Sequence, residues 1–382
     1  MRKPPDTSLR QQRLRAWNPI LTPRTVLPIF FFLGFLFTPL GVALLYFSSQ
    51  VREGTLNLLL IVEKVHEVSV NYTYCENLAQ KSFSQIPDKF VQTGFPSTVK
   101  PTIQWKKYKN KNSFYPEKED ICVIRLEMPV DLRPPVFIYY RLTNFYQNHR
   151  RYVKSVSRDQ LLGLPKTAEE LLRSDDCNPL VVDEQGRPIY PCGLVANSLF
   201  NDTIGIPTKI ESQEHRTPYP MTNKGISWAS DKNIYRKTLY RPLDVVPPPN
   251  WVLRYPNGYN QTNFPNINEW EEFHVWMKTA GLPTFEKLAL RNDVDTMKAG
   301  IYEIRIGMHF PVTKYNGNKM IVISTRSVIG GRNPFLGTAY ISTGAVSIVV
   351  GMLFTIGHLI RPRKLGDHRY LSWNQTPPQS GH

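Results

Sequence analysis

Catalytic signatures are missing from this sequence. It contains no H-E-x-x-H, no G-x-S-x-G and no G-x-x-x-x-G-K-[ST], and Asp231-Lys232-Asn233 departs from the aspartyl-phosphate motif of an ion pump. Zincin proteolysis, nucleophile-elbow hydrolysis and nucleotide hydrolysis are therefore left without residues to carry them. Cysteine is scarce, at four residues with no C-x-x-C pair, which argues against a zinc ribbon or a redox couple. The eight histidines are scattered, and a lone His149, His274 or His309 is far more often a surface or hydrogen-bonded residue than a catalyst. No catalytic residue, metal site or cofactor is expected.

Charge is absent from two long stretches. None occurs between Arg24 and Arg52, and from residue 339 to 360 the only Asp, Glu, Lys, Arg or His is His358. Each run is long enough at helical rise to cross a bilayer core. The first leads into Ser48-Ser49-Gln50 without a small-residue cleavage pattern, so it reads as an uncleaved anchor. Neither run holds a carboxylate, lysine or arginine, and two helices alone enclose no ion path.

The chain thus divides into a tail (1–25), a first span (26–49), a large loop (50–338), a second span (339–360) and a second tail (361–382). Six basic residues and one acid precede the first span; four and one follow the second, which makes both tails cytoplasmic by the positive-inside rule. The rest of the formal +16 is spread over the loop, too dilute to require nucleic acid. All four cysteines, Cys75, Cys122, Cys177 and Cys192, fall in that loop, as do the glycosylation acceptors Asn71, Asn201 and Asn260. In an oxidising lumen the cysteines read as two disulfides. Of three pairings, the sequential one closes short loops and is favoured.

Within the loop, residues 71–117 show little periodicity and read as surface. Alternation at Cys122, Ile124, Leu126 and Met128 predicts a half-buried strand, and residues 136–142 a more fully buried one. Tyr302, Ile304, Ile306, Met308 and Phe310 share one face, and Asn316-Gly317 reads as a hairpin turn before the next strand. Short helices are expected after the capping pattern Thr167-Ala-Glu-Glu170 and after Asn268 with Glu271. Pro247-Pro-Pro249 reads as a linker or extended edge. The fold class is a membrane protein in which two transmembrane helices flank a large, mainly antiparallel β, sandwich-like ectodomain with short helices.

Several stretches look made for contact. Arg13 and Trp17 lie in an apolar and basic segment suited to cytoplasmic headgroups or a partner. Pro39 interrupts the first span, where Gly34 and Thr38 offer a small face. In the second, Ala339, Thr343, Ser347, Gly351 and Thr355 form a ridge every fourth residue that admits a partner helix or the protein's own first span. Aromatic and basic side chains interleave in Phe145-Tyr146-Gln-Asn-His-Arg150-Arg151-Tyr-Val-Lys-Ser155.

That last segment belongs to a set of motifs that resembles the ligand-effect-modulator (Cdc-fifty) family, accessory subunits of type IV P-type ATPases that flip phospholipids. The others are Gln11-Gln-Arg-Leu-Arg-Ala-Trp-Asn-Pro-Ile-Leu21, Pro191-Cys-Gly-Leu-Val-Ala-Asn-Ser-Leu-Phe-Asn-Asp-Thr203, Gly225-Ile-Ser-Trp228, Val275-Trp-Met-Lys-Thr-Ala-Gly-Leu-Pro-Thr-Phe285 and Gly330-Gly-Arg-Asn-Pro-Phe-Leu-Gly337. Residues 54–65 depart from the pattern and read as an insertion. The resemblance implies a non-catalytic glycoprotein subunit that escorts the pump from the endoplasmic reticulum towards Golgi, endosome or plasma membrane. It also implies disulfides at Cys177 with Cys192 and nearer the first span. The partners it implies are the ATPase catalytic subunit and membrane phospholipids. A stand-alone receptor or lipid-binding glycoprotein would share the topology, as would a lumenal hydrolase, which the missing catalytic groups disfavour.

Overall fold

The computed structural model describes residues 6–9, 22–49, 67–95, 101–110, 119–212, 214–325 and 334–362. The segments around Arg13 and Trp17, the departure at 54–65 and the tail beyond residue 362 lie outside the described residues. The chain forms two compact units, one built from its two ends and one from the intervening loop.

The first unit is a pair of long helices, α1 (Pro23–Ser49) and, at the other end of the chain, a helix spanning Pro334–Ile360. Both are long and apolar enough to cross a membrane. Each opens on proline, whose missing N–H is one the first turn leaves unbonded anyway. Ahead of Pro23, the Thr25 hydroxyl donates to the Thr22 carbonyl at 3.0 Å and accepts from the Thr22 N–H at 3.1 Å. The first helix continues through Pro28 and Pro39.

The second unit contains twelve strands in two antiparallel sheets among the described residues. Strands β1 (Glu67–Asn71), β2 (Ser84–Gln85), β3 (Val91–Thr93), β4 (Ile103–Asn110), β5 (Glu119–Met128) and β6 (Val136–Leu142) precede a largely helical middle. There lie α3 (Arg150–Lys154), α4 (Arg158–Leu161), α5 (Ala168–Ser174), α6 (Leu194–Asn197) and α7 (Glu271–Met277), while α2 (Cys75–Leu78) sits between β1 and β2, so that the C-terminal span is α8. The short strands β7 (Thr203–Ile204), β8 (Thr208–Ile210) and β9 (Arg216–Pro218) fall between helices, and β10 (Phe285–Asn292), β11 (Gly300–Gly307) and β12 (Lys319–Thr325) complete the sheets. One sheet has the order β10-β6-β12-β1-β3; the other runs β2-β4-β5-β11-β8-β9, with β7 also on β11.

The core lies between the sheets. Val68, Ile138, Ile321 and Ile323 from one meet Trp105, Ile124, Leu126 and Ile304 from the other, the inward-facing alternation of a β-sandwich. A second cluster continues from the far end of β6, where Tyr140 and Leu142 meet Trp251, Phe273, Trp276, Phe285 and Phe310. A third, small cluster of Leu171, Val181 and Ile189 surrounds the disulfide between Cys177 and Cys192, Cα atoms 5.6 Å apart. The other disulfide joins Cys75 of α2 to Cys122 of β5 across 6.0 Å.

Four local expectations change. The described part of residues 71–117 is not a surface loop: Tyr72, Ile86, Ile103 and Trp105 are buried, and Lys106, Lys107 and Lys109 lie on strand β4. β2 and β3 are too short for periodicity to register, and in β4 lysines occur on both faces and hide the alternation. Asn316-Gly317 closes no hairpin, because β11 lies between β5 and β8 while β12 lies between β6 and β1. The connection instead crosses between sheets and carries Phe310 and Val312 into the second cluster. Asn268 does not cap α7; its side-chain amide donates to the Tyr235 carbonyl at 2.6 Å, while Thr167 and Glu170 form the reciprocal cap expected of α5. Pro248 and Trp251 are buried, so the triple proline packs into the domain.

Candidate partner-binding surfaces

The aromatic and basic segment separates into an inner and an outer set. After β6, Asn144 takes a left-handed turn with φ 57°, and the Phe145 N–H donates to the Pro283 carbonyl at 3.1 Å. Phe145 thereby enters the second core cluster, where its ring meets Tyr152, Trp276, Phe285, Phe310 and Tyr315 at centroid distances of 5.6–6.2 Å. Gln147 is fully buried and accepts from the Ala280 N–H at 2.8 Å. The Tyr152 hydroxyl lies 2.7 Å from Ser198, and Ser155 donates to the Asn178 carbonyl at 2.7 Å. With these four side chains turned inward, Tyr146, His149, Arg150, Arg151 and Lys154 face solvent. Phe145 is thus a packing residue, while Tyr146, Arg150 and Arg151 are available for contact.

The same helix borders an apolar groove of about 430 Å³, lined by Val153, Val156, Leu162, Ile234, Tyr235 and Met277, with Arg158 at its side. Ile234, Val153 and Leu162 are exposed, and Lys232, Arg236 and Lys237 stand exposed on the segment that carries Ile234. Below this segment, α7 is held by polar anchors. Burial opposes the charge on Glu271, but backbone N–H groups of Ser227, Gly225 and Ile226 outweigh it and hold the carboxyl below its usual range. Burial pushes the His274 pKa down; Nε2 sits 2.5 Å from the Ile267 carbonyl, which can only accept, so the neutral ring carries its proton there. His274 is accordingly structural. Lys287 is buried beneath the C-terminal end of α7, donating to the carbonyls of Val275 at 2.9 Å, Trp276 at 3.2 Å and Lys278.

The three sequons of the large loop differ sharply. Asn71 lies on β1, mostly buried, with its amide nitrogen donating to Asn318 at 3.3 Å. Asn260 is exposed, and its carbonyl oxygen accepts from the Thr262 hydroxyl at 2.7 Å and the Thr262 N–H at 2.9 Å. Asn201 is held by its neighbour. The Asp202 carboxylate is buried and accepts from Lys319 at 2.7 Å, from Tyr72 at 2.8 Å and from the His309 and Phe310 N–H groups at 2.6 Å. Burial, then Asp202, drives the Tyr72 phenol well above its ordinary pKa, so it remains a donor. Nothing in the sequence marked this buried pair, because its partners are more than a hundred residues apart.

In the helical unit, the expected small face of α1 meets glycines of α8, of which only Gly351 belongs to the expected ridge. Gly34 and Gly41 of α1 face Gly344 and Gly337 of α8, and a Cβ on Gly344 would come within 2.9 Å of the Thr38 backbone nitrogen. A Cβ on Gly351 would lie 3.3 Å from the Phe31 ring. Glycines 337, 344 and 351 recur every seventh residue, a period hidden behind the four-residue pattern. Gly351 therefore belongs to the intrachain face, whereas Thr343 is exposed and Ser347 is half-buried. Among the described residues, no three His, Cys, Asp or Glu side chains are grouped to hold a metal ion.

Residues 58–364 match the model of the LEM3 (ligand-effect modulator 3) family / CDC50 family. The chain is 39% identical over 377 residues to the phospholipid-transporting ATPase accessory subunit CRF1 of Saccharomyces cerevisiae, covering 98% of this chain and 90% of that protein. It is 39% identical over 394 residues to the accessory subunit CDC50 of Chaetomium thermophilum, covering 100% and 93%. To cell cycle control protein 50A of Bos taurus it is 36% identical over 374 residues, covering 94% and 90%.

Proposed function

The chain belongs to the LEM3/CDC50 family, and from that premise we propose that it is the non-catalytic accessory subunit of a phospholipid-transporting P-type ATPase. The observation that carries this is similarity along nearly the whole of both chains to relatives named as accessory subunits of such ATPases. Its two apolar helices make it a membrane protein. In this reading both tails are cytoplasmic, as their excess of basic residues favours, and the disulfide-linked sandwich is lumenal and glycosylated. The subunit leaves the endoplasmic reticulum with its pump and works in Golgi, endosomal or plasma membranes. Tyr146, Arg150 and Arg151 beside the apolar groove form part of the lumenal contact, and Thr343 and Ser347 offer an outer face to a helix of the pump.

A subunit shifts a partner's cycle only through different affinities for its conformations. Reconstitution in phospholipid vesicles tests this. The subunit alone should neither hydrolyse ATP nor move lipid, and with its co-purified ATPase it should support both. Lipid movement by the lone chain, or failure of any ATPase to accompany it in mild detergent, would remove the proposal.

A further inference from the structure

A cavity of about 310 Å³ opens beside Asn201, at the small end of the range for ligand sites. Its apolar floor comes from Tyr140, Leu288 and Leu290, and Phe200 stacks on Tyr140 with ring centroids 3.9 Å apart. The mouth is polar and aromatic: the Arg254 guanidinium lies 4.1 Å over the Trp270 ring, and Asn223 donates to Glu272 at 2.5 Å. This combination of ring faces with amide, carboxylate and guanidinium groups suits a sugar, which presents apolar C–H faces and hydroxyls together.

Asn201 supplies the second observation. Its side-chain oxygen is turned into the protein, buried with no hydrogen-bond partner. Its amide nitrogen is neither among the buried unpartnered atoms nor engaged in a hydrogen bond, and so remains open. Asp202, pinned in the core, keeps Asn201 at the cavity wall and leaves Thr203 exposed.

We propose that the cavity is the seat of the first N-acetylglucosamine of a glycan attached to Asn201, folded back as an internal ligand. The inference rests on the glycoprotein reading above. Attachment uses a lipid-diphosphate-linked oligosaccharide: Nδ2 bonds to the anomeric carbon, the bond from that carbon to the diphosphate breaks, and the Nδ2 proton leaves with the carrier. It takes place on the unfolded chain, and folding then closes the sandwich around the sugar.

The test uses the full chain from a glycosylating host, purified in mild detergent and exposed natively to peptide N-glycosidase. Release is read at Asn201 and Asn260 by peptide mass spectrometry. Occupied Asn201 should be cleaved about tenfold or more slowly than exposed Asn260, because access requires local opening, and denaturation should abolish the difference. Asn250→Ala with Leu253→Ala, both exposed at the mouth, should speed native release at Asn201 in a chain that still melts cooperatively. Equal native rates at the two sites, or no acceleration in the double variant, would place the sugar in solvent and overturn the inference while leaving the glycoprotein reading intact. An unmodified Asn201 would overturn both at this site.

Discussion

Lysine is the residue type whose burial says most here. Lys319 pairs with Asp202 at 2.7 Å, with a further bond to the Phe310 carbonyl at 3.0 Å, so removing one partner leaves the other stranded in the core. Asp202→Ala should destabilise the chain by about 3–5 kcal/mol, and adding Lys319→Met should recover much of that loss. Thermal unfolding of the two variants in detergent decides it; equal melting temperatures would show that Lys319 is not stranded. Among the described residues, no carboxylate pairs with Lys287. Burial first, then Lys278, lowers its pKa from 10.5 to about 7. The unfolded chain thus holds one more proton between pH 7 and 10.5, so this group makes stability rise with pH through that window and adds no slope below it. Its largest contribution to the slope is about 1.4 kcal/mol per pH unit, and Lys287→Met should remove it from the stability profile. An identical profile in the variant would refute the assignment.

Among the elements, the two long helices show how backbone proximity depends on the absence of side chains. Gly344→Leu would drive its new side chain into Thr38 and the backbone of α1, where lipid offers no compensating hydrophobic gain. It should lower the yield of folded chain even without the ATPase, whereas Thr343→Leu, on an exposed position, should spare that yield and reduce only recovery of the complex. Size-exclusion profiles of each variant, with and without the co-expressed pump, separate the two effects. Loss of the lone chain in Thr343→Leu, or its survival in Gly344→Leu, would reverse the assignment of faces.

For the whole molecule, the contact with the pump is the property to probe. Arg150 and Arg151 are solvent-exposed while Gln147, Tyr152 and Ser155 hold their segment from within, so the arginines can be removed without loosening it. Arg150→Ala with Arg151→Ala should lower complex recovery or lipid-stimulated ATP turnover severalfold at unchanged melting temperature, as loss of rim charges weakens encounter. Wild-type turnover at wild-type recovery would take this surface out of the interface.

What the sequence determined alone was whatever is written in long runs or short local codes. Two uncharged spans, basic tails, four cysteines and three sequons in the loop, the alternation of β5 and the apolar run of β6 each depend on neighbours in the chain, and the family motifs extended that reading to a role. Tertiary structure decided what depends on distant partners. Phe145 and Arg150 are five residues apart, yet one is packed by β10, α7 and the connection before β12 while the other is left to water. The second strand of the supposed hairpin went to another sheet because both edges of β11 were already taken. Asp202 and Lys319, the glycines at seven-residue spacing and the cavity at Asn201 are likewise products of segments folded together. Charge pairing, close backbone approach and enclosed volume are pairwise or collective quantities, which no single stretch of chain specifies.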